Sequence, residues 1–151
     1  MPSALDAIET AEVQAFIAFL RAHAAITRDL DRELVVEHGL TINDYEVLLR
    51  LARAPDRMLR RVDLAQQVLL TPSGITRLLA GLQRHGYVEK ASCDTDARVV
   101  YAKLTESGQE KLECASESHF ASVRSLFGCR FEESELEALR TLLTRLQPPS
   151  D

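Results

Sequence analysis

The residues with the clearest capacity for chemistry stand in one short stretch, residues 71–87, which reads TPSGITRLLAGLQRHGY. At helical spacing, one side of it carries small or hydroxyl side chains and two guanidinium groups: Ser73, Thr76, Arg77, Ala80 and Arg84. No acidic residue occurs between Asp63 and Glu89. Small side chains let a helix approach its partner closely, and arginine donates paired hydrogen bonds to phosphates and guanine edges. The chemistry predicted for this face is therefore recognition of an anion.

The charge of the chain is distributed unevenly. The net charge is −5, but residues 57–103 hold eight basic and four acidic residues, which leaves that segment at +4 and the remainder at −9. Exposed charges are screened beyond about 10 Å at moderate salt, so a polyanion responds to the local field rather than to the global sum. The middle third is the expected contact surface, and the acidic ends should discourage indiscriminate binding.

Composition argues against several classes of protein. With 151 residues, of which 46% are hydrophobic, the chain fits one ordinary globular domain. It has neither a run of about 18 apolar residues nor a signal-peptide pattern, so we expect no membrane contact and a cytoplasmic location. The cysteines Cys93, Cys114 and Cys129 suggest neither a disulfide framework nor a zinc motif. No catalytic triad, phosphate loop or carboxylate pair stands out, so we expect no enzyme, cofactor or metal.

The elements that must position the face at residues 71–87 are mostly helical. Residues 8–37 predict one long helix ended by Gly39, and its apolar stripe is long enough to suggest a partner chain. Thr41 is a good N-cap for a second helix. The apolar stripe of that second helix is expected to consist of Tyr45, Leu48, Leu49 and Ala52. Residues 106–147 predict two further helices with a leucine stripe, followed by a frayed tail at 148–151.

A pair of short helices joined by a tight turn contains the candidate face. After a connector or small strand at residues 56–61, a third helix is expected to bury Val62, Ala65, Val68 and Leu69. Thr71 then caps a fourth helix that has Pro72 at its first position and ends at Gly86. The inward stripe of this fourth helix is predicted to be Ile75, Leu78, Leu79 and Leu82. The pattern is typical of a helix-turn-helix.

The hydrophobic period changes after the fourth helix. Residues 87–91 and 98–104 predict two strands joined by the turn SCDTDA, which is a hairpin wing. Arg98 can reach from that wing into a DNA minor groove or onto its phosphates, and Asp96 can orient the guanidinium. The predicted fold is mainly α (α+β): a winged helix-turn-helix with a small β-hairpin wing, flanked by N- and C-terminal dimerisation helices.

The ordered motifs resemble the MarR (multiple antibiotic resistance regulator) family. The resemblance rests on the helix in LTPSGITRLLAGLQRHGYVEK, the D-x-R of Asp96 and Arg98 in the wing, and the LTESG that opens the next helix. It implies a single domain over 1–151, with dimerisation helices at about 8–37 and 106–147 and a DNA-binding region at about 41–104. The resemblance also implies a homodimer that binds a pseudo-palindromic operator in double-stranded DNA, usually as a repressor. In this family a small ligand or an oxidant often releases the protein from the DNA.

The resemblance also suggests roles for individual residues. The DNA-binding candidates are Ser73, Thr76, Arg77, Arg84, Arg98, Thr71 and Gln66. The candidates for an effector crevice between the dimer helices and the winged region are His23, Arg21 and Tyr45. Some members of the family sense oxidants through a cysteine in the first helix. That scheme does not transfer, because no cysteine precedes Cys93.

Each assignment has an alternative. The face of Arg77 and Arg84 is otherwise an ordinary solvated helix face, and Arg98 is otherwise paired with Asp94 or Asp96 in a surface turn. His23 and His119 are better read as core or interface residues than as metal ligands. The alternative function is a winged-helix protein-interaction module that has lost DNA binding.

Overall fold

In a computed structural model of the chain, the described residues, 6–147, form six α-helices and one three-stranded sheet. The helices are α1 Ala11–His38, α2 Ile42–Arg53, α3 Arg61–Gln67, α4 Pro72–Arg84, α5 Glu106–Gly128 and α6 Glu133–Thr144. The strands are β1 Met58–Arg60, β2 Val88–Ser92 and β3 Val100–Leu104. Short 3₁₀ turns occupy Asp6–Glu9 and Pro55–Arg57. This confirms the predicted mainly helical winged-helix fold. The predicted frayed tail lies outside the described residues.

The chain divides into two compact units, the first ending at Ala115 and the second starting at Ser116. The first unit contains α1 to α4, the sheet and the start of α5, and the second contains the rest of α5 and α6. The interpretation of the chain as one domain stays a prediction. Between residues 6 and 147, no helix combines the length and apolar character needed to cross a membrane.

The junction between α1 and α2 follows local capping rules. Gly39 ends α1 in the left-handed conformation, with φ of 67°, and its N–H donates to the Val35 carbonyl oxygen at 3.0 Å. Thr41 caps α2: its hydroxyl accepts from the Asp44 N–H, and the Asp44 carboxylate accepts from the Thr41 N–H. Both predicted helix ends are therefore confirmed, although α1 begins at Ala11 rather than at residue 8.

The core of the first unit is formed by side chains of α1 to α4, the sheet and the start of α5. Leu48, Leu51 and Leu64 have no exposed surface, and Ile75 has 1%. Burying a side chain of this size contributes about 1.5–3 kcal/mol. Leu79 and Leu82 of α4 join the same cluster, and Leu78 packs against it while half-buried. The predicted inward stripe of α4 is thus confirmed, with Leu78 at its margin.

Two residues of the helix-turn-helix do not face inward as predicted. Val62 is 60% exposed and Leu69 is 91% exposed, whereas Leu64 is buried. Val62 lies two residues before Leu64, about 200° away around the helix axis. Leu69 follows the end of α3 and adopts a left-handed conformation with φ of 55°, so helical spacing no longer describes its direction.

The buried side of α2 also differs from the predicted stripe. Tyr45 and Leu48 are buried as expected, but Val47 and Leu51 accompany them. Leu49 and Ala52 are only half-buried. The helix is covered over a wider arc than one stripe because α1, β1 and β3 all contact it.

The wing is part of a sheet with strand order β1-β3-β2. β2 and β3 form the predicted antiparallel hairpin, in register from Val88 opposite Leu104 to Ser92 opposite Val100. The segment that we described as a connector or small strand is β1, which pairs with the other side of β3. The sheet therefore ties the residues before α3 to the wing that follows α4.

Backbone contacts hold the start of α5 against the turn that follows α4. The Thr105 hydroxyl donates to the Gly86 carbonyl oxygen at 2.6 Å and accepts from the Gly108 N–H at 3.0 Å. The Thr105 N–H donates to the Tyr87 carbonyl oxygen at 3.1 Å. A Cβ at Gly108 would collide with that same Tyr87 oxygen and with the Leu104 side chain. These contacts explain why Thr and Gly stand where they do in the LTESG motif.

We expect Gly108→Ala to lower the free energy of unfolding by about 1–3 kcal/mol, because the added methyl group overpacks a backbone contact. Helix propensity alone predicts the opposite sign, since alanine is favoured over glycine by about 1 kcal/mol. Chemical denaturation measures the difference. Gly128→Ala is the matched control, because it lies in the same helix and its Cβ would meet nothing within 4 Å. A Gly108→Ala protein as stable as the wild type would contradict the described packing.

Candidate nucleic-acid interface

The N-terminal turn of α4 presents a cluster of hydroxyl groups. The Thr71 side chain accepts from the Gly74 N–H at 3.0 Å and lies 3.2 Å from the Ser73 hydroxyl. The Thr76 hydroxyl donates to the Pro72 carbonyl oxygen at 2.8 Å. Either Thr71 or Ser73 donates in the contact between them, so one hydroxyl proton of this pair is left for a partner. Thr76 keeps lone pairs to accept. All three hydroxyl side chains are exposed, so the turn offers both donors and acceptors to a partner.

The arginines of α4 are exposed and have no carboxylate partner among residues 6–147. Neither Arg77 nor Arg84 forms an ion pair there, although Arg57 pairs with Glu106 at 3.2 Å and Arg60 pairs with Asp63 at 2.7 Å. The pairing shows that carboxylates are available in the first unit but not on the outer face of α4. Because Ile75, Leu79 and Leu82 are buried, that face must point away from the core.

A groove between α3 and α4 brings Gln66 close to the start of α4. It has a volume of about 310 Å³ and its wall includes Gln66, Pro72 and Thr76, with Leu70 and Ile75 behind them. Gln66 and Thr76 are both exposed. The structure therefore places six of the seven predicted DNA-binding residues on α3, on α4 or at the N-cap of α4: all except Arg98.

Arg98 lies in the wing, between β2 and β3, and its side chain is 92% exposed. Its backbone N–H donates to Asp96 Oδ1 at 3.0 Å, and its Nε donates to the same oxygen at 3.2 Å. These hydrogen bonds, the backbone one foremost, lower the pKa of the Asp96 carboxyl. Of the two partners considered for Arg98, the structure selects Asp96. An ion pair this exposed is weak, so a phosphate can compete for the guanidinium.

Comparison with known proteins identifies the family to which the chain belongs. A family model described as MarR family matches residues 38–99, which include α2, α3, α4, β2 and the turn that follows β2. Sco3205 of Streptomyces coelicolor, a MarR family transcriptional regulator solved in complex with DNA, is 30% identical, with a TM-score of 0.80, over 92% of this chain and 90% of Sco3205. This chain belongs to the MarR family.

Two further relatives agree with that assignment. AbsC, a MarR family transcriptional regulator from Streptomyces coelicolor, is 29% identical with a TM-score of 0.80, over 91% of this chain and 93% of AbsC. The HTH-type transcriptional repressor YetL of Bacillus subtilis is 32% identical over 97 residues, which are 61% of this chain and 58% of YetL. Membership makes this MarR-family chain a DNA-binding transcriptional regulator rather than an enzyme.

The wing of this MarR-family protein also contains Cys93, which is half-buried. Its Sγ lies 3.1 Å from the Thr95 hydroxyl. Hydrogen bonding to that hydroxyl, and then to the backbone of Thr95 and Asp96, lowers the pKa of the Cys93 thiol. Cys114 and Cys129 are exposed on α5 and just after it.

The three effector-site candidates do not share one environment in the single chain. Arg21 and His23 are exposed on α1, whereas Tyr45 is 4% exposed and belongs to the core of the first unit. Tyr45 lies on the buried side of α2, and its part in an effector site stays a prediction. An effector site at Arg21 and His23 stays a prediction. Among the described residues, no three His, Cys, Asp or Glu side chains form a cluster that could hold a metal.

Arg61 lies beside the interface, although the sequence analysis gave it no role in binding. Arg61 begins α3, is half-buried, and has no ion-pair partner within residues 6–147. It lines the groove between α3 and α4 and two smaller cavities next to the wing. No sequence pattern marks it, because the pairing of β1 with β3 is what brings the start of α3 beside the wing.

Arg77→Ala should weaken binding to a specific DNA site by about 1–3 kcal/mol and relax the base preference at one position of each half-site, if Arg77 pairs with a base edge. Affinity measurements on a panel of single-base variants test both effects. Arg50→Ala on α2, where the arginine is paired with Glu46, is the control and should bind as the wild type does. An unchanged base preference in Arg77→Ala would assign Arg77 to the scaffold.

Proposed function

We propose that this MarR-family chain is a homodimeric repressor that binds a pseudo-palindromic operator in double-stranded DNA. In each protomer α4 lies in a major groove and the wing reaches the adjacent minor groove. The observation that carries the proposal is the outward face of α4, which combines exposed hydroxyl groups with two arginines that have no carboxylate partner among the described residues. The DNA in the Sco3205 complex supports the same kind of partner.

The residues divide into two kinds of contact. The first kind of contact is to base edges in the DNA major groove, where arginine recognises guanine and hydroxyl groups accept from or donate to bases. The residues that make it are Ser73, Thr76, Arg77 and Arg84. The second kind of contact is to backbone phosphates at the margin of the DNA major groove. Thr71 and Gln66 make it, and it fixes the position of the protein along the duplex. Arg98 exchanges Asp96 for the minor groove or its phosphates, as a flexible exposed cation can do.

Exposed apolar side chains support a second copy of the chain as a partner. On α1, Phe16 is 59% exposed and Leu20 is 46% exposed. In the second unit, Leu142 is 54% exposed and Leu146 is 73% exposed. Burying such side chains in a dimer removes apolar surface from water at about 25 cal/mol per Å². Two recognition helices about 34 Å apart then match one turn of the DNA helix.

Repression and its release complete the proposal. YetL, a relative, is named as a repressor. A small ligand that alters the distance between the two copies of α4 would prevent both from entering successive major grooves. Arg21 and His23 are the exposed candidates for contact with such a ligand.

Selection of bound DNA from a random pool tests the proposal. We expect a two-fold symmetric consensus, and light scattering should give the mass of a dimer at micromolar protein. Binding should weaken steeply as salt rises, because contacts to phosphates release counterions. A monomer, an asymmetric consensus or binding that ignores salt would contradict the proposal, and salt-independent capture of a protein partner would favour the interaction module instead.

Arg98→Ala should weaken binding to the selected site by at least about tenfold, the loss expected for a hydrogen bond between charged groups. The thermal midpoint should stay close to that of the wild type, since the side chain is almost fully exposed. Arg140→Ala on α6, which removes another exposed arginine, controls for the change in net charge. Full-strength binding by a stably folded Arg98→Ala protein would remove the wing from the interface.

A further inference from the structure

A crevice separates α4 from the sheet, and both apolar side chains and hydrogen-bond donors line it. Thr76 and Gln83 lie on its α4 side. Lys90 and Ala102, which are paired and so share one face of the sheet, lie on the other side. Arg61 also lines the crevice, and no acidic residue contributes to the lining. A second small cavity shares Arg61 and Val100 with this crevice and is also lined by Arg60 and Arg98.

The state of Arg61 differs from that of its neighbour. The Arg60 guanidinium donates two hydrogen bonds to the Asp63 carboxylate, at 2.7 and 3.1 Å. Arg61 has no carboxylate partner among residues 6–147 although it is half-buried. An anion that enters the crevice can therefore pair with Arg61 without displacing a carboxylate, whereas at Arg60 it would have to compete with Asp63.

The size of the two cavities indicates how large that group is. Their volumes are about 130 and 170 Å³. Pockets for drug-sized ligands begin at about 300 Å³. The cavities on either side of Arg61 are therefore too small for such a ligand and suit a single phosphate-sized group.

The geometry of duplex DNA supplies such a group at this place. One sugar-phosphate strand always separates a major groove from the adjacent minor groove. A protein that puts α4 in the first and the wing in the second must straddle that strand. We propose that the crevice is a seat for one backbone phosphodiester of this strand, with Arg61 as its principal ligand and Lys90 as a flanking donor. This inference rests on the proposed placement of α4 and the wing on DNA.

The seat has a different task from the α4 face. A phosphate carries no sequence information, so its contacts set register and orientation rather than base preference. Arg61 reaches the crevice from the start of α3 and Lys90 reaches it from β2, so the phosphate would be held by the helix-turn-helix and the wing together. Such a seat fixes the angle at which both α4 and the wing meet the duplex.

Arg61→Gln tests the seat on a duplex that carries the selected site and on an unrelated duplex of equal length. We expect both affinities to fall by a similar factor, about ten-fold to a hundred-fold, as for loss of one charged hydrogen bond. The slope of log affinity against log salt should become shallower by about 0.9 per protomer. Arg61→Lys should retain the wild-type slope, and so should Arg57→Gln, whose guanidinium is paired with Glu106 and lines neither cavity.

A scan with neutral methylphosphonates identifies the phosphate itself. In the wild type, binding should weaken when one phosphate in each half-site, between the major- and minor-groove contacts, is made neutral. The Arg61→Gln protein should no longer respond to neutralisation of that phosphate, but it should respond to the other substitutions as the wild type does. The wild type could bind with steep salt dependence while a folded Arg61→Gln protein shows the same salt slope and the same methylphosphonate response. That result would overturn the phosphate seat but not the proposed function. A wild type that binds neither duplex in a salt-dependent way would overturn the proposed function as well.

Discussion

Burial of Ile75, Leu79 and Leu82 sets the rotation of α4 about its axis, and the other features of the interface depend on that rotation. Each of these side chains is at most 6% exposed. Turning α4 to bury another face would expose this stripe and place Arg77 in the core, where an unpaired charge is strongly unfavourable. The hydroxyl groups and arginines face outward because the leucines and the isoleucine on the opposite side of α4 must stay buried.

The turn after α4 transmits this setting to the elements around it. Gly86 adopts φ of 75°, which lets the chain leave the helix and enter β2 directly. Thr105 hydrogen-bonds to the carbonyl oxygen of Gly86, and Gly108 leaves room for the carbonyl oxygen of Tyr87. The wing therefore begins and ends beside the same set of contacts, those of Thr105 and Gly108 with Gly86 and Tyr87. Its orientation toward α4 is held by backbone contacts that tolerate little change in side-chain size.

Ion pairing sorts the cations of an acidic chain into two groups. Arg57, Arg60 and Lys103 each lie within 4 Å of a carboxylate oxygen. On and beside α4, by contrast, Arg61 and Arg77 have no carboxylate partner within residues 6–147. Local fields govern the approach of a polyanion, so the overall charge of −5 does not prevent DNA binding. Arg98 is intermediate, since its partner Asp96 holds it only by an exposed pair.

Most of the fold was predictable because it rests on rules that act within a few residues. The caps at Thr41 and Thr71, the glycine ends at Gly39 and Gly86, and the stripe of α4 follow from capping and helical spacing. The outer face of α4 follows from the same spacing, although its role in binding remains a proposal. Contacts between distant segments decided the rest: β1 joins the far side of β3, Tyr45 enters the core, and Arg61 reaches the crevice beside the wing. Helical spacing determines which residues share a side of one element, but only packing between elements determines which sides meet.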